Sequence, residues 1–285
     1  MPRIIVRRIG VVSEDTVRNI LDTVEECYQR SAPHAVELLE LLLFESSVEM
    51  TAFYAEESEA YGVASQSLGE EFLAAHDAWT GTSRIGVCIE RMNGLPRLVG
   101  VGALRHEVGH SILHGSLEHY VFPITPPLLR ASKRFSLMKA NLFAILYLIS
   151  IVVKDFEATK LLAGKGYLED QAAYSLHVLK ASPEDLGAWR MAKGNPTAMA
   201  LCAAGRLKDA ACTMTIGQVL TERPIDVVAR ELSYLNHPMA SRLAGVLEAF
   251  PKALTRDTFS NVNSAVRLFV ERLLEPTLSE GTWRS

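Results

Sequence analysis

Leu98-Val99-Gly100-Val101-Gly102-Ala103-Leu104 runs through Arg105 into His106-Glu107-Val108-Gly109-His110, and this stretch decides how the chain is organised. Apolar and small residues lead in, and Ile112 and Leu113 carry the pattern onward. Val99, Ala103, His106 and His110 recur at helical spacing. The spacing predicts a largely buried helix from about residue 97, with Gly115 as its C-cap. On a helix, positions i and i+4 share one face. His106 and His110 therefore project together, and H-E-x-x-H places two imidazoles where they can grip one Zn²⁺. Glu107 is turned about 100° from His106 around the helix, toward the open coordination site. This arrangement suits hydrolysis, with the metal acidifying a water and Glu107 acting as general base and then general acid.

Upstream of the motif, residues 3–9 read as a β-branched strand, and Ser13-Glu14-Asp15 opens a helix with Val17, Ile20, Leu21, Val24, Cys27 and Tyr28 as its apolar stripe. Residues 36–44 favour a strand. Residues 48–54 alternate and also read as a strand, while 57–79 are expected to be helical in part. Residues 84–92 alternate again, which predicts a half-buried strand before the turn at Asn93-Gly94. Downstream, Pro123, Pro126 and Pro127 break the chain, and a long apolar helix is expected from about Phe135 to Ala163, ended by Gly164-Lys165-Gly166. Only helical patterns follow, punctuated by Pro183, Asn195-Pro196, Pro224, Pro238 and Pro251. The fold class this predicts is α+β, with an α/β part over residues 1–125 and a helical part over residues 126–285.

The chain's 285 residues are 48% hydrophobic and 22% charged, as expected of a globular protein. A net charge of −4 supplies no basic field for nucleic acid. Cys27, Cys88, Cys202 and Cys212 form no C-x-x-C pair and no disulfide framework, which fits a reducing cytoplasm. The apolar run Ala140–Val153 has 14 residues, short of the about 20 that a bilayer span needs. It is read as the buried centre of a soluble helix, and no stable membrane insertion is expected.

A catalytic zinc takes three protein ligands and a water, so a third ligand must lie elsewhere. His114, one turn beyond His110, is about 12 Å from His106 along the helix axis, too far to share the ion. It is expected to line the cleft as a substrate-binding residue. His119 and Tyr120 fall in the following loop, where an oxyanion role is open to them. Leu113 and Ser116 stand where a metzincin has its glycine and last histidine, which argues against that group. The better source is Lys154-Asp155-Phe156-Glu157-Ala158-Thr159, where two acids appear as an apolar helix emerges. Burying an acid there is costly without a partner, and zinc is such a partner. Asp155 and Glu157 are two residues apart and point about 160° apart, so only one can face the metal.

His106-Glu107-x-x-His110, followed by an acid-aromatic-acid-Ala segment on a helix, resembles the zincin metallopeptidases of gluzincin type, closest to the HtpX-like and ImmA/IrrE-like groups. Those carry an E-x-x-A-D or E-x-E-A-N helix whose first acid binds zinc. The resemblance covers about residues 84–162. It implies Asp155 at the ligand position, with Glu157 at the second acid, Ala158 at the alanine and Thr159 at the acidic or amide position. The chain departs from the pattern in having Asp for Glu and Thr159 for the residue that steadies the site, so Glu157 stands as the alternative ligand. The resemblance further implies that Arg84–Met92 is the sheet edge over the cleft, taking a peptide by strand addition, with Gly86 and Val87 as substrate-binding residues.

The expected function is that of a zinc-dependent metallopeptidase acting on a peptide or protein substrate. His106, His110 and Asp155 (or Glu157) would hold the metal, and Glu107 would be the catalytic base. The alternative is a zinc-containing regulatory or binding protein of zincin fold with little or no peptidase activity.

Overall fold

The computed structural model describes residues 1–62 and 73–281. The fold is α+β: a four-stranded mixed sheet in the N-terminal part and helices thereafter. The chain forms two compact units, Met1–Tyr120 with Leu161–Tyr174, and Val121–Lys160 with Ser175–Ser285. The sequence suggests one division, after residue 125. The chain instead leaves the first unit after Tyr120 and returns to it for residues 161–174.

In the first unit, β1 (Arg3–Ile9) pairs in parallel with β2 (Leu38–Phe44), which pairs in parallel with β4 (Ser83–Cys88), and the short β3 (Ala74–Asp77) runs antiparallel to β4. The order is β1-β2-β4-β3. Side chains alternate across a sheet, so each strand feeds two cores. Leu39, Leu41, Leu43, Ile85 and Val87 face one way. They pack with Val17, Ile20 and Val24 of α1 (Glu14–Ser31) and with Leu104 and Val108 of α4 (Arg97–His114). Leu42, Phe44 and Cys88 face the other way and meet Met50 and Tyr54 of α2 (Ser47–Tyr61).

Two corrections concern this sheet. The strand expected over residues 48–54 is the start of α2. The deciding signal is local: Ser46 caps the helix through a capping box, accepting from Glu49 N–H while its own N–H donates to the Glu49 carboxylate at 3.0 Å. Met50, Tyr54 and Ser58 then fall on one buried face at four-residue steps. The strand expected over residues 84–92 stops at Cys88 and gives way to a single-turn helix, α3 (Ile89–Asn93). It is also buried at all six positions, because both faces are covered. Of the stretch 57–79, residues 63–72 lie outside the described residues, and the strand β3 follows them.

The second unit is helical. It contains α5 (Pro126–Phe135), most of α6 (Lys139–Gly164), the end of α7 (Leu168–Leu179), α8 (Pro183–Ala192), α9 (Pro196–Thr213), α10 (Pro224–Glu231), α11 (His237–Ala253), α12 (Thr258–Phe269) and α13 (Glu275–Gly281). The punctuating prolines mostly open helices: Pro183, Pro196, Pro224 and Pro238 sit in first turns, where the missing N–H costs nothing. Pro251 lies inside the last turn of α11. Ser182, Asn195, Asn236 and Asp257 accept backbone N–H groups as N-caps. Ile145, Ile149, Val152 and Val153 of α6 bury themselves with Trp189, Leu207, Leu247 and Phe250. Among the described residues, no helix is long and apolar enough to cross a membrane.

Candidate metal centre

α4 is a helix buried over most of its circumference, and its small residues explain how. A Cβ at Gly102 would collide with the Asp170 backbone, so glycine lets α7 approach α4 closely. The approach is then fixed by polar bonds: Gln171, fully buried, donates from Nε2 to Gly102 O at 2.9 Å. Arg105, next to the motif, pairs with Asp170 and with Glu26 at 3.0 Å and lies 4.2 Å over the Tyr167 ring. On α1, Tyr28 meets the Ser111 hydroxyl at 2.5 Å, and Ser111 in turn donates to Val108 O at 2.7 Å. Directional bonds from two elements thus pin the rotation of α4, and with it the direction of its histidines.

His106 and His110 are 3% and 8% exposed. Their Nε2 atoms lie 3.0 Å apart. Two nitrogens on one tetrahedral zinc at about 2.05 Å would be separated by about 3.3 Å, so the pair is already near the spacing of a shared ion. The i, i+4 placement read from the sequence accounts for this. Glu107 is also buried, at 7% exposure.

Asp155 on α6 is the acid that falls into a group with the two histidines. One ligand atom each from His106, His110 and Asp155 lie within 4.8 Å of one another. Two imidazoles and a carboxylate form a donor set of the kind that catalytic zinc takes, so these residues fit the ion that the motif implies. The alternative acid is engaged elsewhere. Glu157 accepts from Thr258 Oγ1 at 2.8 Å and from Asn261 Nδ2 at 2.5 Å, one bond to each carboxylate oxygen. Thr159, at the position where the resembled families carry an acid or amide, donates its hydroxyl to the Asp155 backbone carbonyl at 2.8 Å. Around Asp155, the second unit places Lys208 and Asp209 of α9. Asp209 chiefly, and Asp155 with it, hold the Lys208 ammonium above its usual range. Lys208 Nζ sits 3.3 Å from Asp209 Oδ1. Burial above all, and next the charge of Asp155, pushes the Cys212 thiol up.

Of the three expected substrate-binding residues, two lose the free strand edge they were read on. Gly86 and Val87 lie on β4, which is hydrogen-bonded on both sides, so they offer no free strand edge; β3 is the outer strand. Gly86 makes room for protein, since a Cβ there would stand 2.5 Å from the Tyr54 hydroxyl. Val87 belongs to the core. His114, expected to line the cleft, is fully buried, with its Nδ1 3.2 Å from His110 Nδ1.

One residue escaped the sequence entirely. His76 on β3 lies nearly parallel to His110, with ring centroids 6.1 Å apart at 9°. Its Nε2 meets Ser83 Oγ at 2.9 Å and its Nδ1 meets Tyr120 Oη at 2.9 Å. Nothing in the spacing points to it, because a four-residue strand brings it beside α4 from outside the motif. Tyr120, read as a loop residue open to an oxyanion, thus holds His76. His119 sits on Ser116 Oγ at 3.1 Å. No family model, curated protein or solved structure matches this chain.

Proposed function

We propose that the protein is a zinc-dependent hydrolase of peptide bonds, built on a zincin-like arrangement. The observation that carries the proposal is the meeting of His106, His110 and Asp155 on either side of an open sequence gap, with Glu107 adjacent to the histidine pair on the same helix. A zinc ion held there supplies Lewis acidity, polarising a carbonyl and making water a stronger acid. His106 and His110 contribute neutral nitrogens and Asp155 a negative charge, which leaves the set with one net negative charge to offset the ion. Glu107 takes the proton from water as general base and returns it to the leaving amine. Lys208 sits beside Asp155's acidic surroundings and limits the negative charge that accumulates behind the ligand.

The test measures metal content and cleavage of a mixed peptide library by the full chain, beside three variants. Glu107→Gln keeps shape and hydrogen bonding but cannot take the proton. It should retain zinc and lose about 10²–10⁴-fold in rate. Asp155→Ala should lose metal, and Glu157→Ala should keep it. Cleavage by Glu107→Gln at the wild-type rate and equal zinc content would overturn the mechanism. Zinc without Glu107-dependent cleavage would favour the zinc-containing binding or regulatory protein instead.

A further inference from the structure

We propose that His114 is a positioning residue: it accepts a hydrogen bond from His110 Nδ1–H and so holds His110 in the tautomer whose Nε2 is free to bind metal. This inference rests on the metal centre described above. His106, His110 and His114 follow at four-residue steps along one face of α4. The contacts alternate between ring nitrogens. His110 reaches His106 through Nε2 at 3.0 Å and His114 through Nδ1 at 3.2 Å. Two turns of helix, about 12 Å, keep His114 from ligating the same ion as His106.

A neutral imidazole carries a single proton. Two facing Nδ1 atoms therefore make a hydrogen bond only if one donates and the other accepts. If His110 accepted, its proton would sit on Nε2, aimed at His106 and at the position of the ion. If His110 donates, Nε2 presents its lone pair there. The second arrangement is the one compatible with metal binding, and it requires His114 to be the acceptor. Complete burial holds His114 to this task, since no water competes for its ring at 0% exposure. The neighbouring rings have anchors of their own, His119 on Ser116 and His76 on Ser83 and Tyr120, which confine the cluster sterically. Histidine ligands usually donate their second nitrogen to a carboxylate or carbonyl. Here an imidazole takes that place.

The experiment uses the full chain and measures zinc affinity by chelator competition and the visible absorption of the Co²⁺-substituted protein. His114→Asn keeps an acceptor close to where Nδ1 stands, whereas His114→Leu fills the space without one. His114→Leu should bind zinc about 10–100-fold more weakly and shift the Co²⁺ bands, and His114→Asn should stay near wild type. Equal affinity and unchanged bands in His114→Leu would overturn the proposal. So would an equal loss in both variants, which would make the effect one of packing. Should His114→Leu fail to fold, the tautomer is read directly in metal-free wild type by long-range ¹H–¹⁵N correlation: a proton on His110 Nε2 rather than Nδ1 refutes the proposal. Wild type that binds no zinc refutes the metal centre itself, a result distinct from all of these.

Discussion

In the first unit Arg84 lies 2% exposed between Glu57 and Asp77, while in the second α6 meets α11 through Phe156 and Phe250, two rings 5.1 Å apart and nearly perpendicular. The first kind of contact is directional. Arg84 donates to both Glu57 oxygens at 2.7 and 2.6 Å and to Asp77 at 2.9 Å, tying α2 to β3 and β4. The second depends on area and shape and tolerates small rotations. The helical unit has buried ions of its own, with Arg206 on Asp185 and Asp209 at 2.9 and 3.1 Å, but its core cluster is built from aliphatic and aromatic side chains. On the proposed reading the difference lies where precision is needed: the two histidine nitrogens, 3.0 Å apart, sit on the helix that polar bonds hold from both sides.

The sharpest way to break the comparison is to delete one anchor from each unit. Arg84→Met strands the buried Asp77 carboxylate and the half-buried Glu57 and should cost about 3–5 kcal/mol. Phe156→Ala should cost about 3–5 kcal/mol through lost burial and a cavity. Urea unfolding separates the two causes: the Arg84→Met loss should shrink at pH 4, where the Asp77 carboxyl holds its proton, and the Phe156→Ala loss should not. Equal pH dependence in both variants would contradict the assignment of charge to one unit and shape to the other.

A smaller effect follows from Asp77. Burial pushes its carboxyl up to about 6, more than the Arg84 charge can offset, because one guanidinium faces two acids. Its folded value is raised above the unfolded one, so the native state holds the extra proton. Stability should therefore fall as pH rises from about 4 to about 6 and then level off, by roughly 2–3 kcal/mol for this one group. Asp77→Asn should flatten that window. A wild-type profile that rises over the same range, unchanged in the variant, would show the sign to be wrong.

The smallest effect distinguishes the two acids of α6. Glu157→Ala removes the acceptor of Thr258 and one of the two acceptors of Asn261 and should cost about 1–3 kcal/mol in stability while sparing zinc. If Glu157→Ala instead loses metal at unchanged stability, the roles of Asp155 and Glu157 are exchanged.

Much of this was legible in residue order. Helical spacing alone places His106 and His110 on one face, and the proline and N-cap punctuation marks most of the later helices. The S-x-x-E box at Ser46–Glu49 was also there to be read, but the alternation of residues 48–54 outweighed it; Met50 and Tyr54, four apart, share a face on a strand as well as on a helix. Sheet order was not legible. β4 resembles an edge strand until β3 covers it, and β3 has only four residues to announce itself.

The sequence by itself determined the histidine pair, the adjacent glutamate, the apolar helix that follows and the helical character of the C-terminal half, because each depends on spacing within a single helix. Only the tertiary structure set Glu157 on Thr258 and Asn261, buried His114 against His110, took Gly86 and Val87 into the sheet interior and brought His76 beside His110. Each of those depends on which distant segment packs against a given face, and that is set by the burial of whole elements rather than by the periodicity of any one.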